Sequence, residues 1–259
     1  MPDPKVVTAC VLVIGNEILS GRTEDRNINF LARRLTEIGV RLKEVRVIPD
    51  DHATIVATVN AVRGPFDYVI TTGGIGPTHD DITTECVAAA FGLATYVDDA
   101  VVALMQSFRP DRPMNEARKR MATFPVGAEL IQNPVSAAPG YRIGNVFVLA
   151  GVPEVMQAMF DSAAHHFAGG DKVLSRSVRV MLAEGDIAEG LGRLQQRYPD
   201  VDIGSYPAMR QGRFGVSVVL RATDPARLGA AFDALVALLG GLGGEPREET
   251  LAGAAPETG

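Results

Sequence analysis

A chain of 259 residues, 46% hydrophobic and 22% charged, has the make-up of a soluble globular protein and is long enough for two domains. Its net charge of -6, with acidic and basic residues interleaved, excludes a broad electropositive face, so no nucleic acid is expected as the main ligand. No uncharged apolar stretch reaches the roughly 18 residues needed to span a bilayer, so no membrane partner is expected.

The chain opens with a near-continuous apolar run, Val6 to Ile14, that fits a strand buried on both faces of a parallel sheet. It runs straight from the N-terminus with no small-residue cleavage site, which argues against an export signal and for the cytoplasm. Cys10 and Cys86 sit in apolar stretches without metal-ligand spacing and read as buried free thiols of a reducing compartment. Asn27 to Ile38 repeats apolar residues at three- and four-residue spacing and predicts a helix capped by Gly39. Val40 to Ile48 alternates apolar and charged residues, as a strand nearer a sheet edge does. A helix over His52 to Val62, a strand over Tyr68 to Thr71 and a helix over Thr83 to Phe91 follow. Such alternation implies a parallel sheet with right-handed crossovers.

Further on, the pattern predicts helices over Asp98 to Phe108 and Met114 to Met121, a strand over Gly144 to Leu149 and a helix over Pro153 to Phe167. Gly169-Gly170-Asp171 marks the domain boundary: 1–170 is the large domain and 171–240 the small one. In the latter, strand Val173 to Leu182, helix Asp186 to Tyr198, strands Val201 to Tyr206 and Phe214 to Leu220, and helix Pro225 to Leu239 suggest a ferredoxin-like α+β sandwich. Residues 241–259 lack an apolar face and read as a mobile tail.

Chemistry concentrates between residues 65 and 92. Gly73, Gly74 and Gly76 allow positive φ and close backbone approach, and the helix after them offers unpaired N–H groups to an anion, with phosphate the natural ligand. A bare glycine pattern serves equally as a tight turn with Asp80 or Asp81 as helix N-cap. The extended pattern with Pro77, two aspartates and Thr83 favours a functional role for Asp81 and, less so, Asp80. Two other strand ends, Gly15 to Gly21 and Pro49-Asp50-Asp51, bring Glu17 and Asp50 toward the same crevice, although Asp50 and Asp51 also suit a helix cap. Carboxylates facing a phosphate require a cation between them, which implies Mg²⁺ or a similar hard divalent ion. A P-loop is rejected, because Gly15 to Gly21 is one residue too long and Arg22 stands where lysine belongs. The segments 132–140 and 151–154 read as rigid loops, with Pro153 a first helical residue. His165 and His166 read as exposed; His52 and His79 lie beside the carboxylates, where His79 serves equally as ligand contact or solvated loop residue.

Taken together, Gly15-x-Glu17-x-x-x-Gly21, Asn27, Pro49-Asp50, Thr72-Gly73-Gly74-x-Gly76-Pro77-Thr78-x-Asp80-Asp81-x-Thr83, Asn133-Pro134-Val135 and Gly151-Val152-Pro153-Glu154 resemble the MoaB/Mog molybdopterin-binding family. More narrowly, they resemble the N-terminal part of the competence/damage-inducible protein A (CinA) family and the corresponding domain of eukaryotic FAD synthetase; Gly204-Ser205-Tyr206-Pro207 resembles that subgroup's small domain. The resemblance implies a three-layer parallel-sheet α/β domain with a second, smaller α+β domain, and a homo-oligomer, dimer or trimer. It implies ligand contacts from Gly15, Glu17, Gly21, Asn27, Thr72, Gly73, Gly74, Gly76, Pro77, Thr78, Asn133, Gly151 and Pro153 to a small-molecule nucleotide or pterin. Mog-type relatives adenylylate molybdopterin with paired aspartates that correspond to Asp50 and Asp81. The narrower subgroup implies metal-dependent hydrolysis of nucleotide pyrophosphates such as ADP-ribose and FAD. Pyrophosphate hydrolysis is the expected activity, with Asp81, Asp80 and Asp50 catalytic and Asp80, Asp81 and Glu17 holding Mg²⁺, or Co²⁺. A molybdopterin-binding or adenylylating protein and a noncatalytic nucleotide sensor are the alternatives. The deamidase domain of longer CinA proteins and the synthase domain that makes FAD do not follow in this sequence, so neither activity is expected of it.

Overall fold

The computed structural model describes residues 5–210 and 213–249, which divide into two compact units, the first ending at Gly170 and the second beginning at Asp171. In the first unit, β1 (Val7–Ile14), α1 (Asn16–Leu19), α2 (Asn27–Ile38), β2 (Val40–Ile48), α3 (His52–Val62), β3 (Tyr68–Thr72) and α4 (Thr83–Phe91) come in turn. They are followed by β4 (Thr95–Val97), α5 (Asp99–Phe108), α6 (Glu116–Arg120), β5 (Thr123–Pro125), β6 (Glu129–Ile131), β7 (Gly140–Ile143), β8 (Val146–Leu149) and α7 (Pro153–Ala163).

The main sheet has the order β2-β1-β3-β8-β7-β6. The first four strands are mutually parallel; β7 runs antiparallel to β8, and β6 antiparallel to β7. The predicted parallel core is thus present, and the sheet as a whole is mixed. Two short strands that the sequence pattern leaves unassigned, β6 and β7, add an antiparallel flank. The period of two along β1 assigns the layers. Cys10, Leu12 and Ile14 pack with Ile55, Val59, Cys86, Val87, Val101 and Met105 on one face. Ala9, Val11 and Val13 pack with Leu31, Leu35, Phe147, Met156 and Phe160 on the other. Fully buried leucines and isoleucines such as Leu12, Leu31 and Ile55 each contribute roughly 1.5–3 kcal/mol. Both cysteines are free and buried, and burial pushes their thiols up, to about 11 for Cys10 and about 12 for Cys86.

Several boundaries shift. Strand β8 starts at Val146, not Gly144; just before it, the Asn145 amide ties down the turn after α3 by donating to the carbonyls of Arg63 and Phe66, both at 2.9 Å. Helix α7 ends at Ala163 and continues as a 3-10 turn to His166, and α6 is shorter than predicted.

The second unit runs β9 (Leu174–Val180), α8 (Glu184–Arg197), β10 (Asp202–Arg210), β11 (Arg213–Ala222), α9 (Pro225–Gly241) and β12 (Arg247–Glu249), with sheet order β10-β11-β9-β12 and every pairing antiparallel. That is the split βαβ arrangement of a ferredoxin-like sandwich. Strand β12 corrects the reading of residues 241–249 as mobile tail: Arg176 of β9 holds Glu248 through two bonds of 2.9 and 3.0 Å, and Ser177 donates to the Glu249 carbonyl. The remainder of that predicted tail lies outside the described residues. No described helix is long and apolar enough to cross a membrane.

Candidate functional site

Parallel strands deliver their carboxyl ends to one side, and four loops meet there: Gly15 to Gly21 after β1, Pro49-Asp50 after β2, Gly73 to Ile82 after β3, and Ala150-Gly151-Val152 after β8. The antiparallel pairing of Tyr141 with Val148 brings the β6–β7 loop, residues 132–139, to the same side.

The glycine turn is knotted to the sheet. Gly73 has φ +100°, and a Cβ there would lie 2.1 Å from the Ile14 carbonyl oxygen, so only glycine fits. Its N–H is given to the Leu149 carbonyl at 3.2 Å, and Thr83 returns to the turn through its N–H on Gly74 O (2.9 Å) and its hydroxyl on Gly73 O (3.0 Å). Gly151 stacks on Gly73, and buried Asn27 donates to the Gly151 carbonyl at 2.8 Å.

A crevice of about 490 Å³ opens over this knot. Of the predicted site residues, Glu17, Gly73, Gly74, Gly76, Pro77, Asp81, Asn133, Gly151 and Pro153 line it. A recess of about 50 Å³ joins Glu17, Asn27, Thr72, Gly73, Gly151 and Pro153. The Asn27 side-chain oxygen and the Thr72 hydroxyl are buried there without a hydrogen-bond partner, the state in which polar atoms await a water, ion or ligand. Gly15, Gly21, Asp50, Thr78 and Asp80 stand outside both linings. Thr23 and Ser136, which the sequence reading passed over, line the crevice; Thr23 is folded back by its N–H on the Glu17 carbonyl (3.1 Å), a long-loop contact with no local sequence signature.

The carboxylates have distinct duties. Asp50 accepts the Asn16 N–H at 2.8 Å, which pins the β1 loop to the β2 end. Asp51 caps α3 by accepting the Thr54 N–H at 2.8 Å, and the Thr54 hydroxyl holds its carboxyl below the usual range. Asp81 accepts the Thr78 N–H at 2.8 Å and the Thr78 hydroxyl, lying under Gly76. Asp80 is exposed, its carboxylate 4.0 Å from the exposed His79 ring, and the Thr78 hydroxyl is directed at Asp81 instead. Among the described residues no three of His, Cys, Asp and Glu gather as a metal cage, so Asp80, Asp81 and Glu17 do not form a preassembled ligand set. Glu17 and Asp81 do share the crevice. Asn133 spends its side chain on its own loop, donating to Ser136 Oγ and Ala138 O, both at 2.7 Å, and accepting from Val135 N at 3.0 Å.

Helix starts complete the electrostatics. In the first unit α3, α5 and α6 are capped by Asp51, Asp98 and Asn115. Helix α7, whose first residue Pro153 lines the crevice, has no side-chain cap, and neither has α4, so neither Asp80 nor Asp81 serves as its N-cap. An uncapped helix start beside a glycine turn favours an anion.

Residues 10–168 match the family described as "Probable molybdopterin binding domain", and residues 172–242 match "FAD synthase, middle domain". A "Probable FAD synthase" of Caenorhabditis elegans is 32% identical over 93% of this chain and 51% of its own length. A "CinA-like protein" of Syntrophus aciditrophicus is 32% identical over 80% of this chain and 53% of its own. The chain thus spans about half the length of these two relatives. A protein of Archaeoglobus fulgidus is 34% identical over 76% of this chain and 84% of its own length. Among solved structures, the protein CinA, "with unknown function", from Thermoplasma acidophilum is 32% identical, with a TM-score of 0.58, over 62% of this chain and 98% of that one.

Proposed function

The chain belongs to the molybdopterin-binding domain family, and from that premise we propose that its crevice binds a nucleotide pyrophosphate of the ADP-ribose or FAD type and hydrolyses it. The observation that carries this reading is the crevice itself, where a glycine turn and the uncapped start of α7 share one lining with the carboxylates of Glu17 and Asp81.

Because the Gly73 N–H is committed to Leu149, the phosphate cradle begins one residue later, with the N–H groups of Gly74, Ile75 and Gly76. Two carboxylates beside a phosphate fit a hard divalent cation, since Mg²⁺ takes one or two protein carboxylates and completes its shell with phosphate oxygens and water. Asp81 and Glu17 would hold Mg²⁺ or Co²⁺, which when bound neutralises phosphate charge and makes a water more acidic. Water then adds to one phosphorus and the bridging P–O bond breaks, giving two phosphomonoesters. Thr78 keeps Asp81 at the crevice, and Asn27 and Thr72 offer polar atoms to the ligand from the recess. Asp50 acts through the β1 loop, outside the reacting atoms.

The test is release of AMP from ADP-ribose or FAD with Mg²⁺ or Co²⁺ present. Asp81→Asn keeps an acceptor for Thr78 and removes the charge, so hydrolysis should fall roughly 100-fold or more while the protein stays folded. Undiminished turnover by that variant would sink the assignment. The family match itself favours a second reading, molybdopterin binding or adenylylation; calorimetric titration with molybdopterin against ADP-ribose separates the two.

A further inference from the structure

Beside the crevice lies a second cavity of about 490 Å³, and Asn133 and Pro139 line both. Its walls are almost wholly apolar, with Leu104 and Phe108 of α5 and Leu130 of β6 still 53%, 46% and 39% exposed. Large side chains left in water this close to a polar site call for a ligand face. One amide, Gln132, is also part of the lining and offers a donor and an acceptor. A concave apolar groove with a single orienting polar group is the usual composition of a pocket for a flat ring.

The wall between the two cavities is stiff. Asn133 ties its loop together with bonds to Val135, Ser136 and Ala138, and this bracing holds Ala137 at φ +65°, a conformation that L residues seldom adopt unsupported. A ligand bound over the glycine turn therefore meets a preformed ridge at Pro139, with the groove on its far side.

We propose that this groove is the base subsite: the ring end of the nucleotide lies between α5 and the β6–β7 loop while its phosphates occupy the crevice. The assignment rests on the nucleotide reading of the crevice and adds to it that the enzyme selects ligands by their ring. The subsite is apolar, so it accepts a purine through stacking and desolvation of its faces, with Gln132 reading one polar edge.

Calorimetry with Ca²⁺ in place of Mg²⁺, a larger cation chosen to let the probes bind without turnover, tests it with two probes, ADP-ribose and inorganic pyrophosphate, on the full chain and on Leu104→Asp, an exposed position that tolerates the change. The expected result is at least a tenfold loss of ADP-ribose affinity in Leu104→Asp with pyrophosphate affinity unchanged, and the same pattern in Phe108→Ser. ADP-ribose binding at wild-type strength in both variants overturns the subsite and leaves the phosphate reading standing. Should neither probe bind the unaltered chain, the phosphate reading falls and the subsite with it. If the variants instead change the oligomeric state by light scattering while ADP-ribose affinity holds, the groove is an interface between copies, and the proposal is again overturned.

Discussion

A carboxylate at a strand end has two oxygens, and at both Asp50 and Asp81 one of them is already bonded to a backbone N–H, that of Asn16 and that of Thr78 respectively. What separates them is whether the side chain reaches the crevice. Asp81 lines the crevice and Asp50 does not, so the same residue type organises a loop in one place and is available to a ligand in the other. Replacing Asp50 by alanine leaves the Asn16 N–H without its partner, at a cost of about 1 kcal/mol, whereas Asp50→Asn keeps an acceptor and most of the stability. Thermal unfolding of the two variants checks this. An Asp50→Asn variant that stays fully stable yet loses the proposed hydrolysis as completely as Asp81→Asn would restore Asp50 to the reacting centre. The sequence could bring Glu17, Asp50, Asp80 and Asp81 to neighbouring strand ends, because the alternation of strands and helices dictates where the loops go. It could not say which way each side chain turns, since that depends on hydrogen bonds such as Thr78 to Asp81 that form only when the loop has closed.

At the level of elements, positive φ alone does not make a glycine indispensable. Gly21 has φ +71° with nothing within 4 Å of a Cβ, whereas at Gly73 the Ile14 carbonyl oxygen would be 2.1 Å away. Gly21→Ala should therefore cost only the conformational penalty, roughly 1–2 kcal/mol. Gly73→Ala adds a clash that can be relieved only by parting β1 from β3, and it is expected to remove both ligand binding and most soluble yield. Comparing denaturant midpoints and yields of the two variants decides the matter; equal losses would mean that the close approach at Gly73 carries no weight. The strong periodicity of β1, α2 and β2 made those elements legible, because long apolar patterns leave one solution. The flank β6–β7 was not, for Gly140-Tyr141-Arg142-Ile143 is too short to alternate and sits between glycines. A signal was present in Gly144-Asn145, a two-residue hairpin dipeptide whose flanking residues Ile143 and Val146 are paired. The apolar groove shares that obscurity, since it is built from a helix and a loop remote in sequence.

Across the whole molecule, each core draws its buried residues from one unit alone: the two sheet faces of the first from residues up to Phe167, the core of the second from Val178 onward. Composition and punctuation made the two-part organisation legible, whereas the strand at Arg247–Glu249 was hidden because three charged residues carry no apolar pattern and gain their place through Arg176 and Ser177. Separate cores have a consequence for stability. A cavity cut into one is felt first by the unit that contains it, because packing strain and lost dispersion contacts are local. Leu235 of α9 is fully buried against the second sheet, so Leu235→Ala should destabilise that unit by about 2–5 kcal/mol. For a unit of this size each kcal/mol moves the midpoint by roughly 4–8 °C, so calorimetry should show one part of the unfolding endotherm moving down by about 10 °C or more while the rest stays in place. Below that lowered transition, ADP-ribose titration should return the affinity of the unaltered chain, since every crevice and recess residue lies in the first unit. An endotherm that shifts as a single peak would overturn the local reading of the damage, and an affinity that falls in the folded variant would overturn the assignment of the whole site to the first unit.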